Sequence, residues 1–138
     1  MSNIVRFGIS LDEELLDRFD TFIHAQNYSN RSEAIRDLIR ESLVKDEWVK
    51  EKEIAGTITI VYDHHQRELA NTLIDIQHDF HQLIISTQHI HLDHHNCMEI
   101  VVVKGKSEEI KELAQQLKAK RGVKHCSIGM ATTGKELT

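Results

Sequence analysis

Residues 4–10, Ile4-Val5-Arg6-Phe7-Gly8-Ile9-Ser10, alternate apolar with small or polar side chains. A period of two belongs to a β-strand, with Val5, Phe7 and Ile9 on one face and Arg6, Gly8 and Ser10 on the other. No second strand pattern follows closely enough to close a hairpin. A lone strand leaves its backbone N–H and C=O groups unpaired. The segment must therefore pair elsewhere, and the same segment of a second copy is a natural partner.

Two helical patterns follow. Asp12 and Glu13 place acids in a first turn, where the helix dipole favours them. Leu15, Leu16, Phe19, Phe22 and Ile23 form an apolar stripe to about His24 or Ala25, and Gln26-Asn27-Tyr28-Ser29 is a turn. Asn30 and Glu33 have capping-box spacing, and Ala34, Ile35, Leu38, Ile39 and Leu43 carry a second stripe to about Asp46. Residues 47–53 are charged and unpatterned, and are expected to be a linker or a fraying helix end.

From Ala55 the pattern changes. Ala55–Tyr62 alternates as a strand, and residues 66–80 form a helix with Leu69, Leu73, Ile76 and Phe80 inward. Strands at about Gln82–Leu92 and Cys97–Lys104 make a hairpin. A helix capped by Ser107 ends at Gly122, and Val123–Ala131 is a last strand. The order is β-α-β-β-α-β, the ferredoxin-like split. The expected class is α+β: a βαα unit over residues 1–52, too small to be stable alone, then a βαββαβ domain over 53–138.

Composition narrows the function classes. The chain has 138 residues, 40% hydrophobic residues and a formal charge of −5, so no global basic signature points to nucleic acid. DNA binding needs only a local basic stripe, so this is weak evidence. Cys97 and Cys126 are far apart in sequence and in unlike contexts, which is no disulfide framework. Neither a signal-peptide pattern nor an apolar run near 20 residues is present. A soluble, cytoplasmic protein without a membrane partner is expected. Proline is absent, so turns fall to Gly, Asn and Asp.

Ten histidines are present, and eight lie between His64 and His95. In the hairpin, His89 and His91 project to one face of a strand. If the loop is the five residues Leu92–Asn96, His91 lies opposite Cys97 and His89 opposite Glu99, all on that face. A four-residue loop would turn Cys97 to the other face. Imidazoles with a thiolate make a borderline-to-soft metal site. His89, His91 and Cys97 leave one position open, for which His78 leads and His81 is second. Glu99 is placed behind them as an acceptor for an imidazole N–H. His64, His65, His94 and His95 are expected at the surface, where they could bind excess metal weakly, and Cys126 buried or inert.

The strand followed by two helices, with Asn30-Arg31-Ser32-Glu33-Ala34-Ile35-Arg36 opening the second, resembles the ribbon-helix-helix DNA-binding fold. That resemblance implies an antiparallel two-chain ribbon in the major groove. Arg6 and Ser10 would read base edges, while Gly8 contributes shape only. The second helix would offer its N-terminal N–H groups to a phosphate. Over residues 1–52 there are eight basic against eleven acidic residues, but the acids sit largely on the first helix and the outward strand face carries Arg6 and no acid.

Gln77-His78, His89-x-His91, Cys97-x-Glu99 and Lys104-Gly105 resemble the nickel-responsive repressors of the NikR family, which join a ribbon-helix-helix domain to an ACT-type domain. The match covers essentially the whole chain. It implies double-stranded operator DNA as partner, a homotetramer built as a dimer of dimers, and one Ni(II) per chain. The implied planar ligand set is His89, His91 and Cys97 of one chain with His78 of a neighbour. It further implies that Arg67 meets the DNA backbone and that Glu33 and Asp37 help hold a second cation. A ribbon-helix-helix regulator or antitoxin without metal control is the competing reading. An enzyme is not expected, because no nucleophile–base pattern accompanies the metal donors.

Overall fold

The computed structural model describes residues 3–50 and 52–138. Eight elements follow in order: α1 (Glu13–Ala25), α2 (Arg31–Val49), β1 (Glu53–Asp63), α3 (Arg67–Asp79), β2 (Ile84–His91), β3 (Asn96–Lys106), α4 (Ser107–Lys118) and β4 (Val123–Met130). They divide into two compact units. One holds the chain up to Leu43 with Glu136–Thr138, and the other is Val44–Lys135.

In the first unit, the Asp12 side chain caps α1 by accepting from the Glu14 amide at 2.9 Å. The helix closes in a Schellman motif. Asn27 adopts a φ of 65°, its amide donates to the His24 carbonyl, and the Tyr28 amide donates to that of Ile23. Asn30 caps α2 through the Glu33 amide at 2.9 Å. The Glu33 carboxylate takes the Ser29 hydroxyl, so only half of the capping box forms. Arg31 joins α2 to α1 by a two-pronged bond to Asp20 at 2.9 and 2.8 Å. Its guanidinium holds the Asp20 carboxyl below the usual range.

The segment before α1 forms no strand within one chain. A β-ladder needs a neighbour, and among the described residues this segment has none in its own chain. Its apolar side chains are correspondingly open, with Ile4 94% and Phe7 72% exposed. Leu15, Phe22, Leu38, Ile39 and Leu43 are also exposed, while Ile23 and Ala34 are buried. A single copy of this unit leaves most of its apolar stripe uncovered, the condition expected of a unit that folds by pairing.

In the second unit, the four strands are antiparallel in the order β2-β3-β1-β4. Ile54, Ile58, Ile60 and Tyr62 alternate inward along β1, and Cys97, Glu99, Val101 and Val103 along β3. Against this face pack Leu69, Leu73 and Ile76 of α3 and Ile110, Leu113, Ala114 and Leu117 of α4. The arrangement is a two-layer α+β sandwich around one core.

Two local expectations are refined. Of the two readings of the charged stretch from Glu47, the helix end holds where the structure describes it: α2 runs to Val49, and Trp48 is 2% exposed in the core of the second unit. Its indole N–H donates to the Ala131 carbonyl at 2.9 Å, and Glu47 accepts from the Thr132 hydroxyl at 2.9 Å. Gly56 admits this ring, since a Cβ there would meet the Gly129 carbonyl oxygen at 2.7 Å and the indole at 3.0 Å. The division between the two compact units falls between Leu43 and Val44, within α2. Ser107 does not cap α4. It is the first helical residue, buried, with its Oγ lacking a hydrogen-bond partner, and Lys106 takes the cap position. Gly122, at a φ of 99°, makes the turn into β4. No helix among the described residues is long and apolar enough to cross a membrane.

Candidate metal centre

The hairpin register follows from one carboxylate. Asp93 accepts from the His95 amide at 2.8 Å, the Asn96 amide at 2.7 Å and the Asn96 side-chain amide at 3.0 Å. These bonds, the Asn96 side chain foremost, pull its pKa down to about 2. Such an Asx turn fixes the loop length. The register then pairs His91 with Cys97 and His89 with Glu99, the pairing that five intervening residues require. His94 and His95 stay in the turn and are exposed.

Cys97 is fully buried, and its Sγ lies 3.3 Å from His91 Nδ1. Burial raises the thiol pKa, and the nearby charges of Asp63, Asp93 and Glu99 raise it further. The His89 and His91 rings stand 5.1 Å apart, edge to face. Tyr62, paired with Cys97 across β1 and β3, brings its hydroxyl to 3.4 Å from His89 Nδ1. Burial, with the charges of Glu99 and Cys97, pushes the Tyr62 pKa up to about 12, so the phenol stays neutral beside the imidazole.

The turn from β1 into α3 lies against the hairpin loop. The His64 amide donates to the His95 carbonyl at 3.1 Å, and His65 Nε2 lies 2.7 Å from the His94 carbonyl oxygen. This places the His64 ring 5.2 Å from that of His91, nearly perpendicular. His64 is therefore not a plain surface residue: it is half-buried, and its Nδ1 is enclosed without a partner. Desolvation, then the neighbouring His65 and His91, hold its pKa below the ordinary value. Donor atoms of His64, His91 and Cys97 all lie within 4.8 Å of one another. Asp63, His64 and His65 form a second such group among the described residues.

The expected ligands are thus only partly gathered by one chain. His91 and Cys97 meet directly, and His89 adjoins them. His78 sits in the last turn of α3, exposed, with its ring 6.0 Å from that of His81 and outside either donor group. Glu99 is buried next to the site on β3. Sequence reading missed Tyr62 and His64, whose placement depends on the β1–β3 register. The sulfur, the imidazoles and an enclosed imidazole nitrogen without a partner fit a borderline transition-metal ion.

The remaining candidates lie elsewhere. Arg67 opens α3 and lines a cleft with Lys120 and Arg121. Arg6, Gly8 and Ser10 are exposed, and a Cβ at Gly8 would meet nothing within 4 Å. Glu33 is held by Ser29, while Asp37 accepts from the Tyr28 hydroxyl at 2.8 Å and pairs with Arg40 at 3.2 Å.

Comparison with known proteins agrees with this layout. Residues 55–131 match the family described as NikR C terminal nickel binding domain, and residues 5–46 match ribbon-helix-helix protein, copG family. A "Putative nickel-responsive regulator" of Syntrophus aciditrophicus is 61% identical over 97% of this chain and 98% of its own. Proteins of the same description from Chlorobium limicola and Nitratidesulfovibrio vulgaris are 56% and 52% identical, over 97% and 100% of this chain and all of their own lengths. In fold alone, an uncharacterized protein of Thermotoga maritima superimposes with a TM-score of 0.52 at 16% identity, over 57% of this chain and 98% of that one. The chain belongs to the NikR family of nickel-responsive transcriptional regulators, with a ribbon-helix-helix domain ahead of a nickel-binding domain, and it is not an enzyme.

Proposed function

We propose that this protein is a cytoplasmic, nickel-dependent repressor that binds operator DNA when Ni(II) occupies a His3Cys site. Three donors, His89, His91 and Cys97, come from one chain and His78 from a neighbour, one ion per chain in a homotetramer. The observation that carries this reading is the His91–Cys97 pair at 3.3 Å with His89 beside it, while His78 stands exposed outside the cluster. A bound Ni(II) would supply a divalent centre joining donors of two chains.

The chain's own residues give that centre an outlet. Tyr62 orients His89, and Glu99 stands behind as an acceptor. His78 and Arg67 lie at opposite ends of α3, about 17 Å apart at 1.5 Å per residue. Recruiting His78 therefore fixes a helix whose first residue, Arg67, would meet the DNA backbone. In the first unit, Val5, Phe7 and Ile9 would be covered in a two-chain ribbon, with Arg6 and Ser10 towards base edges and Gly8 allowing close approach. Glu33 and Asp37 would serve a second cation. The coupling is a difference in metal affinity between arrangements that do and do not fit DNA.

The test starts from a randomised duplex library selected with nickel-loaded protein. Gel shifts on the selected duplex should show retardation with Ni(II) and little without it, and Cys97→Ala should abolish the difference. Equal binding with and without nickel would instead favour a regulator outside metal control.

A further inference from the structure

We propose that Leu137 and Thr138 form one wall of the face through which the first unit pairs with a second copy of this chain. The inference rests on the reading that two copies pair through that unit, and it extends the pairing face beyond the strand and the two helices. The segment Glu136–Thr138 comes after β4 in the chain yet groups with the first unit. There Leu137 and Thr138 share a cleft with Arg36, Ile39, Arg40 and Leu43 of α2. Leu137 is half-buried, whereas Ile39 and Leu43 stay 48% and 46% exposed. The segment therefore covers only one edge of the apolar stripe.

Helix geometry says which edge. Successive residues advance about 100° around the axis, so positions 36, 39, 40 and 43 lie on one side of α2. Ala34, fully buried, lies on the opposite side. Between the two runs a strip made by Ile35, Leu38 and Ser42, of which Leu38 is 42% exposed. A second copy can seat on this strip without displacing Leu137. It would then meet Leu38, Ile39, Leu43 and Leu137 as one continuous apolar surface.

The wall is held in place within one chain. Arg40 donates from Nε and Nη2 to the Thr138 carbonyl oxygen at 3.1 and 3.0 Å. Its Nη1 donates to Asp37 at 3.2 Å, and Asp37 also accepts from the Tyr28 hydroxyl at 2.8 Å. Thr138 is thus anchored through α2 to the turn that follows α1. A surface ordered beforehand costs less to order on association. The occupant is a second copy because residues 3–10 of the same unit also lack a ladder within their own chain. One partner answers both needs, and a symmetric pair presents the same patch from both copies, so each contact counts twice.

Sedimentation of the full-length protein across a dilution series tests this. Leu137→Asp should raise the concentration at which the largest assembly dissociates by about tenfold or more, because a partly buried leucine is lost from both copies. Leu137→Met should stay near wild type. Arg40→Lys keeps the charge but loses the fork that grips Thr138, and should shift dissociation the same way by less. Unchanged dissociation in both Leu137→Asp and Arg40→Lys would overturn the inference. Tighter assembly in Leu137→Asp would overturn it too, since the segment would then be shielding α2 from a second copy. Phe7→Glu, on the strand, tests the pairing reading by itself. If it leaves assembly unchanged, that reading fails; if it weakens assembly while both other variants do not, only the wall fails.

Discussion

Replacing Trp48 with alanine tests the packing that sequence periodicity does not show. The ring is 2% exposed, and its N–H bonds the Ala131 carbonyl at 2.9 Å. Truncating a buried Trp to Ala costs about 3–5 kcal/mol in transfer and cavity terms. Trp48→Phe keeps most of the ring and loses a bond worth about 1 kcal/mol along with some area, so its cost should be about 1–2 kcal/mol. With a urea slope of about 1–3 kcal/mol per molar, the alanine variant should lower the unfolding midpoint by roughly 1–5 M. Far-UV circular dichroism is the right probe, because Trp48 is the chain's single tryptophan. Protomer concentration must be held constant, since assembly contributes to apparent stability. A midpoint change under roughly 0.5 M for the alanine variant, on that slope, would refute the core placement of Trp48.

Other changes read other parts of the structure. The folded pKa of Asp20 is lowered by Arg31, so the carboxylate stabilises the fold above its unfolded value of about 3.9, and this is lost as pH falls through the lower, folded pKa. Asp20→Asn should therefore be less stable than wild type near neutrality and should converge with it in acid, as followed by urea melts across pH. Gly122→Ala forces a side chain into a φ of 99° facing Gln66 Oε1 at 2.5 Å, and should cost about 1–3 kcal/mol in the same melts. Phe7→Glu puts a charge on the face expected to be shared by two chains; sedimentation should show a smaller species, and DNA retardation should disappear.

The sequence carried the second unit well, because its strands and helices bury one face each and periodicity reports that directly. The loop of five residues was enough to pair His91 with Cys97, though only the bonds made by Asp93 explain why that length holds. Trp48 was illegible for the opposite reason. With Val49 it stands among the charged residues Glu47, Lys50, Glu51, Lys52 and Glu53, and its partner Ala131 lies 83 residues away. His64 was missed because it reaches His91 only after β1 pairs with β3 and the two turns bond through His95. The strand pattern at residues 4–10 describes a need for a partner more than a local structure, and one chain cannot meet that need.

The central claim is a metal site completed between chains, and complementation tests it most directly. His78→Ala and Cys97→Ala proteins should each lack the thiolate-to-nickel band. When the two are unfolded together and refolded as mixed oligomers, donors from the first and His78 from the second should rebuild sites. Random mixing in a symmetric assembly predicts about a quarter of the wild-type amplitude. Mixed oligomers that form but show no nickel band would contradict the account.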